Sequence, residues 1–424
     1  MISKYLDTSL LAILSLILIC APTQYSFNVG NAHLSAADPL IWLGGLLFCI
    51  SAAARILFSK SAGIPFKERL FAYLKEILPL PENILFVVLI SFSFFKAESM
   101  TDSAKELFQV VEYVVVAFIL FSKIKWTDKM LERTAVLFLS LVSVVVLIAV
   151  FQYFDASAGI MKVKGSFGNR NTYGGFLAVT LPLILSIILQ AGNWRMKIWG
   201  LLILAAAGMT VLSGGAAFGL LFAGSLICVS ISRRAFLIWV AVIAVSVVFV
   251  LPKLPRDNVE VLKQSVRIFD EDGHVESRYT EWQASVQMWS EQPLLGVGLG
   301  NYQSQIGMNY GFLAIKEGPK EQDHNNLFLV FGSSTGLIGL LGLLTMLTLW
   351  FQRTAVSFFS CKSESKSFHC GYQRILALGA MGAIAAFCVT SIWTALLVRG
   401  VFLFFVIIAA MAVNYSKQCL ESKE

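Results

Sequence analysis

The sequence predicts an all-α, polytopic integral membrane protein with about twelve transmembrane helices and one long loop that itself carries an amphipathic helix. Three observations predict it. Apolar residues, glycine not counted, make up 57% of the 424-residue chain, where a soluble domain holds about 45–50% even with glycine included. Charged residues supply only 14%, roughly half the usual share. Mean hydropathy is +0.74, and the apolar residues fall in runs of about 20, the length that spans a bilayer as a helix. A soluble enzyme is excluded, and the net charge of +7 is not a nucleic-acid footprint. It is a charge that should sort by membrane side.

Taken in order, apolar windows place spans near 8–26, 38–57, 80–96, 107–122, 134–154, 172–190, 196–213, 214–231, 235–251, 326–351, 375–396 and 399–415. With the N-terminus inside, the inner segments carry 20 lysines and arginines against 6 in the short outer loops; 7 more lie in one long outer segment, which the rule does not count. Both termini are therefore expected on the cytoplasmic side. The first span follows Lys4 without a small-residue cleavage pattern and is expected to be retained. Ile64–Leu78 alternates Lys67, Arg69 and Lys75 with apolar residues, as an amphipathic helix on the inner leaflet would. None of the seven cysteines falls in the long outer segment, so no disulfide framework is expected there. Cys361, His369 and Cys370 lack metal-ligand spacing, and no metal or other cofactor is expected. The organisation reads as 1–251 (nine spans), 252–325 (the long loop) and 326–424 (three spans and a tail) of one membrane domain.

A break as long as Pro252–His324 is usually functional. Within it, Ser277–Gln292 reads as a helix capped by Ser277 and ended by Pro293, with Tyr279, Trp282, Val286 and Trp289 on one face and suited to the headgroup level. Pro293-Leu-Leu-Gly296-Val-Gly298-Leu-Gly300-Asn301 follows; its glycine spacing is not that of a dinucleotide fingerprint, and a turn that brings backbone close to a neighbour fits better. Gly332-Ser-Ser334-Thr-Gly336 matches the nucleophile-elbow pattern formally, but it lies mid-helix, where a small-residue packing face is the expectation.

Four outward-pointing helix starts gather polar residues: Gly165 to Thr172, Ser213-Gly214-Gly215, Glu321 to Asn326, and Arg399-Gly400. Free amides and dipole ends make such starts ready anion sites. With Lys162, Lys164, Arg170, Arg278 and Arg399 on the same side, they suggest a di-anionic ligand at the membrane–water boundary. Plainer roles stand beside this one, headgroup contact for Arg170, Lys162 and Lys164 and a snorkelling helix end for Arg399. His324 is the histidine beside a span on that side, flanked by Asp323, Asn325 and Asn326.

Arg278-Tyr-Thr-Glu-Trp282, then Pro293-x-x-Gly296-x-Gly298-x-Gly300-x-Tyr302, then His324-Asn-Asn-Leu with Gly336-x-x-Gly339, resembles the signature of the O-antigen ligase and polymerase family. Gly165-Ser-Phe-Gly-Asn169-x-Asn171-x-Tyr173 with Pro182 is similar to that family's second hallmark. The resemblance runs from Gly165 to about Trp350. It implies a glycosyltransferase of the bacterial inner membrane whose donor is a glycan on undecaprenyl pyrophosphate, with lipid A-core or another lipid-linked glycan as acceptor and the site facing the periplasm. By that analogy the transfer is inverting and metal-independent, His324 acts as base on the acceptor hydroxyl and Arg278 binds the pyrophosphate. Arg170, Asn171, Gly214, Gly215, Trp282, Asn325 and Arg399 are the substrate-binding candidates, with membrane lipids as further partners. Ligase and polymerase readings both remain open, and a transporter or flippase for lipid-linked sugars is the alternative from another class. One departure stands out: Gly214 occupies the place where the family commonly carries a second arginine. Bare amides at Gly214 and Gly215, aided by Arg170 or Arg399, are the expected replacement.

Overall fold

The computed structural model of the protein describes residues 2–23, 26–29, 32–58, 67–68, 70–71, 78–124, 126–155, 163–246, 248, 273–310, 326–360 and 369–421. His324, Asn325, Lys162 and most of the Ile64–Leu78 stretch lie outside the described residues. Arg278 is placed by its backbone only.

The helices are α1 (Ile2–Cys20), α2 (Asp38–Phe58), α3 (Pro81–Ser91), α4 (Met100–Val111), α5 (Phe118–Ser122), α6 (Asp128–Phe154), α7 (Arg170–Gln190), α8 (Trp194–Thr210), α9 (Gly214–Ile231), α10 (Arg233–Val245), α11 (Gly273–Glu291), α12 (Tyr302–Met308), α13 (Leu327–Ser360), α14 (His369–Thr390) and α15 (Val401–Glu421). A helix overlaps each of the apolar windows. Among the described residues, five helical stretches are long and apolar enough to cross a membrane: Lys129–Phe154, Arg170–Gln190, Gly214–Ile231, Leu327–Ser360 and Gly371–Thr390. Shorter apolar helices lie at Ser9–Thr23, Asp38–Ser51 and Val401–Val413. The chain is a multi-pass helical membrane protein.

The centre is made by α7, α9 and α14, which pack along one another. Small residues let their backbones approach. A Cβ on Gly219 would fall 2.2 Å from Thr390 Oγ1, one on Gly379 2.5 Å from Leu183 Cδ1, and one on Gly382 3.0 Å from Pro182 Cβ. α10, by contrast, buries no residue and exposes Leu237, Ile238, Val240, Val242 and Val245, a face for lipid. On another flank α3 packs on α13, where Arg353 Nε and Nη2 meet Glu82 Oε1 and Oε2 at 2.7 and 3.2 Å. Beside that fork, Asn83 accepts from Trp350 Nε1 at 3.0 Å and donates to the Val114 carbonyl at 2.8 Å, so a buried amide has partners on both sides.

Four expectations need correcting. Two short antiparallel strands, β1 (Ser26–Val29) and β2 (Ala32–Ser35), stand in the connection between the first two windows, where the all-α expectation had no strand. The second ends against Asp38, whose carboxylate accepts the Ser35 N–H at 2.8 Å and the Ser35 hydroxyl at 2.5 Å. The helix of window 107–122 starts earlier, at Met100, because Ser99 caps it by accepting the Asp102 N–H; a π-helical turn, Glu112–Ala117, then separates α4 from α5. α11 starts at Gly273 and runs through Ser277. Its buried stripe is Glu281, Ala284, Ser285 and Met288, whereas Val286 is exposed and Trp282 and Trp289 are half-buried. α11 is turned this way because Ala284 and Met288 pack on Tyr302, Ile306 and Tyr310, and Ser285 Oγ lies 2.6 Å from Tyr302 Oη.

The fourth correction concerns Gly332–Gly336. It is no continuous helical face: α13 is broken at Gly336, whose φ of 66° and ψ of −171° lie outside the helical region. Leu337 and Ile338 donate their N–H groups to the carbonyls of Pro293 (2.9 Å) and Leu294 (3.3 Å) instead of back into the helix. Ser333 and Ser334 carbonyls, freed by the break, accept from Val297 and Gly298, both at 2.9 Å. Every backbone group that the break exposes at these four positions is satisfied by one strap of chain, as burial demands.

Candidate functional site

Each polar helix start is built by local chemistry. Before α7, Gln152 holds the turn: its Oε1 accepts from Lys164 N (2.8 Å) and Gly165 N (2.9 Å), and its Nε2 donates to Gly165 O (2.9 Å). Gly165 has φ 58°, and a Cβ there would fall 3.0 Å from the Tyr173 ring. Asn169 then caps α7 by accepting the Thr172 N–H at 2.8 Å, which puts Arg170 and Asn171, both half-buried, in the first turn.

α9 begins differently. Ser213 precedes it in extended conformation, but no side chain caps the helix, and its first two residues are Gly214 and Gly215. α13 starts after Asn326, whose Oδ1 accepts from both Phe328 N (2.9 Å) and Leu329 N (3.1 Å), while Leu327 N donates to Ser391 O at 2.8 Å. The expectation that this third start offers free amides is therefore corrected: they are taken by Asn326 and Ser391.

The structure brings these starts together around the turn between α14 and α15. A Cβ on Gly174, one turn into α7 from Arg170, would fall 2.7 Å from Ser213 Cβ; one on Gly175 would fall 2.3 Å from Leu396 Cδ2; one on Gly215 would fall 2.9 Å from Trp393 Cβ. Trp393 also stacks on Phe218, ring centroids 5.5 Å apart. So the starts of α7, α9 and α13 all meet the Ser391–Leu396 stretch.

Arg399 lies at the end of that turn, with partners that the sequence did not disclose. Its Nη1 is 2.9 Å from Asp38 Oδ2 and its Nε 3.0 Å from Gln109 Oε1. Asp38 is 1% exposed and accepts further hydrogen bonds from Ser35 and from Tyr113 Oη at 3.1 Å. The buried carboxylate thus accepts four hydrogen bonds, one of them from this guanidinium. Asp38, Gln109 and Tyr113 are residues that sequence reasoning missed; the one available signal was a carboxylate opening an apolar run.

The strap from Pro293 has a second anchorage. Leu299 N donates to Ser93 Oγ (3.1 Å), Ser103 Oγ to Leu299 O (2.6 Å), and Asn301, fully buried, accepts from Ser99 N (2.8 Å) and donates to Ser103 Oγ (2.8 Å). Next to this anchorage, burial pushes the Tyr302 phenol well above its ordinary value, which keeps its proton available to the Ser285 hydroxyl. Trp282, on the same helix as Arg278, is half-buried. Among the described residues, no group of three or more His, Cys, Asp or Glu side chains is placed to hold a metal ion.

No curated protein matches the chain. Residues 199–344, about a third of the length, match a family model described as O-antigen ligase. That stretch contains α9 with Gly214 and Gly215, α11 with Arg278 and Trp282, His324, Asn325 and the first part of α13 with its break at Gly336; Arg170, Asn171 and Arg399 lie outside it. The uncapped start of α9, the strap and the break that receives it thus all lie within the stretch, residues 199–344, that is similar to the O-antigen ligase family model.

Proposed function

We propose that the protein is an O-antigen ligase-like glycosyltransferase that moves a glycan from undecaprenyl pyrophosphate to an acceptor hydroxyl on the periplasmic side of the inner membrane. The observation that carries this reading is the start of α9. It lies in the family-matched stretch, begins with two glycines that no side chain caps, and meets the helix that Arg170 opens. An uncapped, glycine-rich helix start presents amides to an anion at short range. The pyrophosphate is bound by these amides together with Arg278 and Arg170, which answers the absence of the family's second arginine at Gly214. Arg399, already neutralised by Asp38, forms part of the wall instead.

In the transfer, His324 takes the proton of the acceptor hydroxyl as that oxygen bonds to the anomeric carbon. The bond from that carbon to the phosphate oxygen breaks, undecaprenyl pyrophosphate leaves with the electron pair, and the anomeric configuration inverts. Charge developing on the leaving oxygen is met by those cations and amides. Trp282, Asn171 and Asn325 line the approach of donor and acceptor. The acceptor is lipid A-core in this reading.

A reconstituted assay tests it, with purified protein, undecaprenyl-pyrophosphate glycan and two acceptors offered separately, lipid A-core and a second lipid-linked glycan. Product on lipid A-core, lost in His324→Ala, is the expected result. Growth of the lipid-linked glycan would identify a polymerase, and no product with either acceptor would defeat the transferase reading.

A further inference from the structure

We infer that the docking of Pro293–Gly298 into the break at Gly336 is the positioning device of the site: it fixes α11, which carries Arg278, against the start of α13, which follows His324. This rests on the transferase reading above.

A continuous α13 would pair the N–H of Leu337 with Ser333 O and that of Ile338 with Ser334 O. Those two internal bonds are replaced by four bonds to the strap, running from Leu337 to Pro293, Ile338 to Leu294, Val297 to Ser333 and Gly298 to Ser334. All four join backbone to backbone, so what the device requires of the sequence is the absence of side chains. Gly296 and Gly336 both have φ of 66°, where a Cβ would lie 2.4 Å from the Ser334 carbonyl carbon and 2.1 Å from the Leu294 carbonyl carbon. Both clashes are with backbone and cannot be relieved by a rotamer change. The strap continues directly from α11, whose last turn is tied to the same unit: Trp289 Nε1 donates to Pro293 O at 3.2 Å, and its ring covers Gly332. At its other end the strap is held by Ser93, Ser103 and Asn301.

The stretch of α13 before the break, Leu327–Thr335, is therefore bonded to the carrier of Arg278 at the point where it parts from the rest of its own helix. Two groups that act on opposite sides of one reacting carbon need such a link, since misplacement by about 1 Å costs about 100-fold in rate. Gly296, Gly336 and the Leu337 N–H are positioning elements that act through Arg278 and His324.

Leu337→Pro isolates the device. Position 337 opens the second half of α13 after the non-helical Gly336, a place where proline is tolerated, yet the substitution deletes the N–H donated to Pro293 and puts ring atoms in its place. Leu341→Pro, one turn further on in continuous helix, is the contrast and is expected not to fold. Full-length protein in lipid nanodiscs is followed by amide exchange and by donor turnover. Wild type should show slow exchange over 293–300, Leu337→Ala should keep that protection, and Leu337→Pro should fold, lose it, and release 280–291 as well. Turnover should then fall about 100-fold with donor KM little changed.

Rapid exchange over 293–300 in wild type overturns the proposal, as does a Leu337→Pro protein that exchanges freely there but turns over like wild type. An inactive wild type in which Leu337→Pro frees the strap and α11 together defeats the transferase reading and leaves the coupling standing. An active wild type whose α11 exchange is unmoved by Leu337→Pro does the reverse.

Discussion

The starts of α9 and α13 meet the same turn and are finished in different ways. In α13 the first four amides all have protein acceptors: Leu327 on Ser391 O, Phe328 and Leu329 on Asn326 Oδ1, and Val330 on Asn326 O. In α9 Ser213 contributes its carbonyl to Ala217 N at 3.0 Å, and among the described residues no side chain caps the amides of Gly214, Gly215 or Ala216. Both helices present the same dipole. What separates them is whether their donors are already occupied, and an anion can use only the unoccupied set. Counting helix starts on one side of a membrane overstates the anion sites; counting their caps corrects the number.

Gly214→Pro is the strongest way to break this comparison. Proline suits the first helical position, so the fold should hold, but one donor disappears. Turnover should fall by about 100-fold, as when an oxyanion donor is removed. Activity within a few-fold of wild type, with an unchanged melting temperature, would show that the start of α9 is not where the pyrophosphate binds.

The next effect sharpens the contrast between Arg170 and Arg399. Arg399→Ala strands Asp38, 1% exposed, without its cation and should cost about 2 kcal/mol, below the usual range for a buried pair because the Arg399 side chain is 30% exposed. The loss is read as a lower melting temperature, and Asp38→Asn combined with Arg399→Gln should recover much of it. Arg170→Ala should instead raise the donor KM by about tenfold, the scale of one lost charge-assisted bond. If both variants lose only stability, the phosphate role of Arg170 falls.

A smaller effect belongs to the saturated start. Asn326→Ala removes the acceptor of two amides and should lower stability by about 1 kcal/mol. The smallest is set by pH at the cap of α4. The hydroxyl that Ser99 donates holds the Asp102 carboxyl below its ordinary value. Because the folded value is depressed, this contribution is complete above about pH 4 and lost as pH falls through the lowered value. Acid unfolding of Ser99→Ala should therefore show a slightly shallower loss of stability over that window; an identical acid limb would mean that the bond has no weight.

Helix positions were legible because runs of about 20 apolar residues have one solution in lipid. The close backbone approach at Gly296, Gly298 and Gly300 was legible too, since only glycine tolerates it. The destination of that approach was not. Gly332–Gly336 carries no proline, and a run of small residues in an apolar helix looks the same whether it faces a neighbouring helix or opens to receive a strap. The buried stripe of α11 was not legible for a related reason: its aromatic residues mark what is largest, while Ala284, Ser285 and Met288 pack on Tyr302 and Tyr310. Partners of Arg399 stand some 290 and 360 positions away, at Gln109 and Asp38, and spacing along the chain carries no record of such pairs.

The floor beneath the start of α9 has a consequence for the timing of biosynthesis. Trp393, Leu396 and Ser391, which bring the starts of α7, α9 and α13 together, are translated after all three of those helices. A nascent chain halted before residue 390 carries α7, α9 and the start of α13 but lacks the stretch that all three meet. Premature release from the ribosome would thus yield a polypeptide whose three helix starts have no common floor and, on the proposed transferase reading, no activity rather than a part of it.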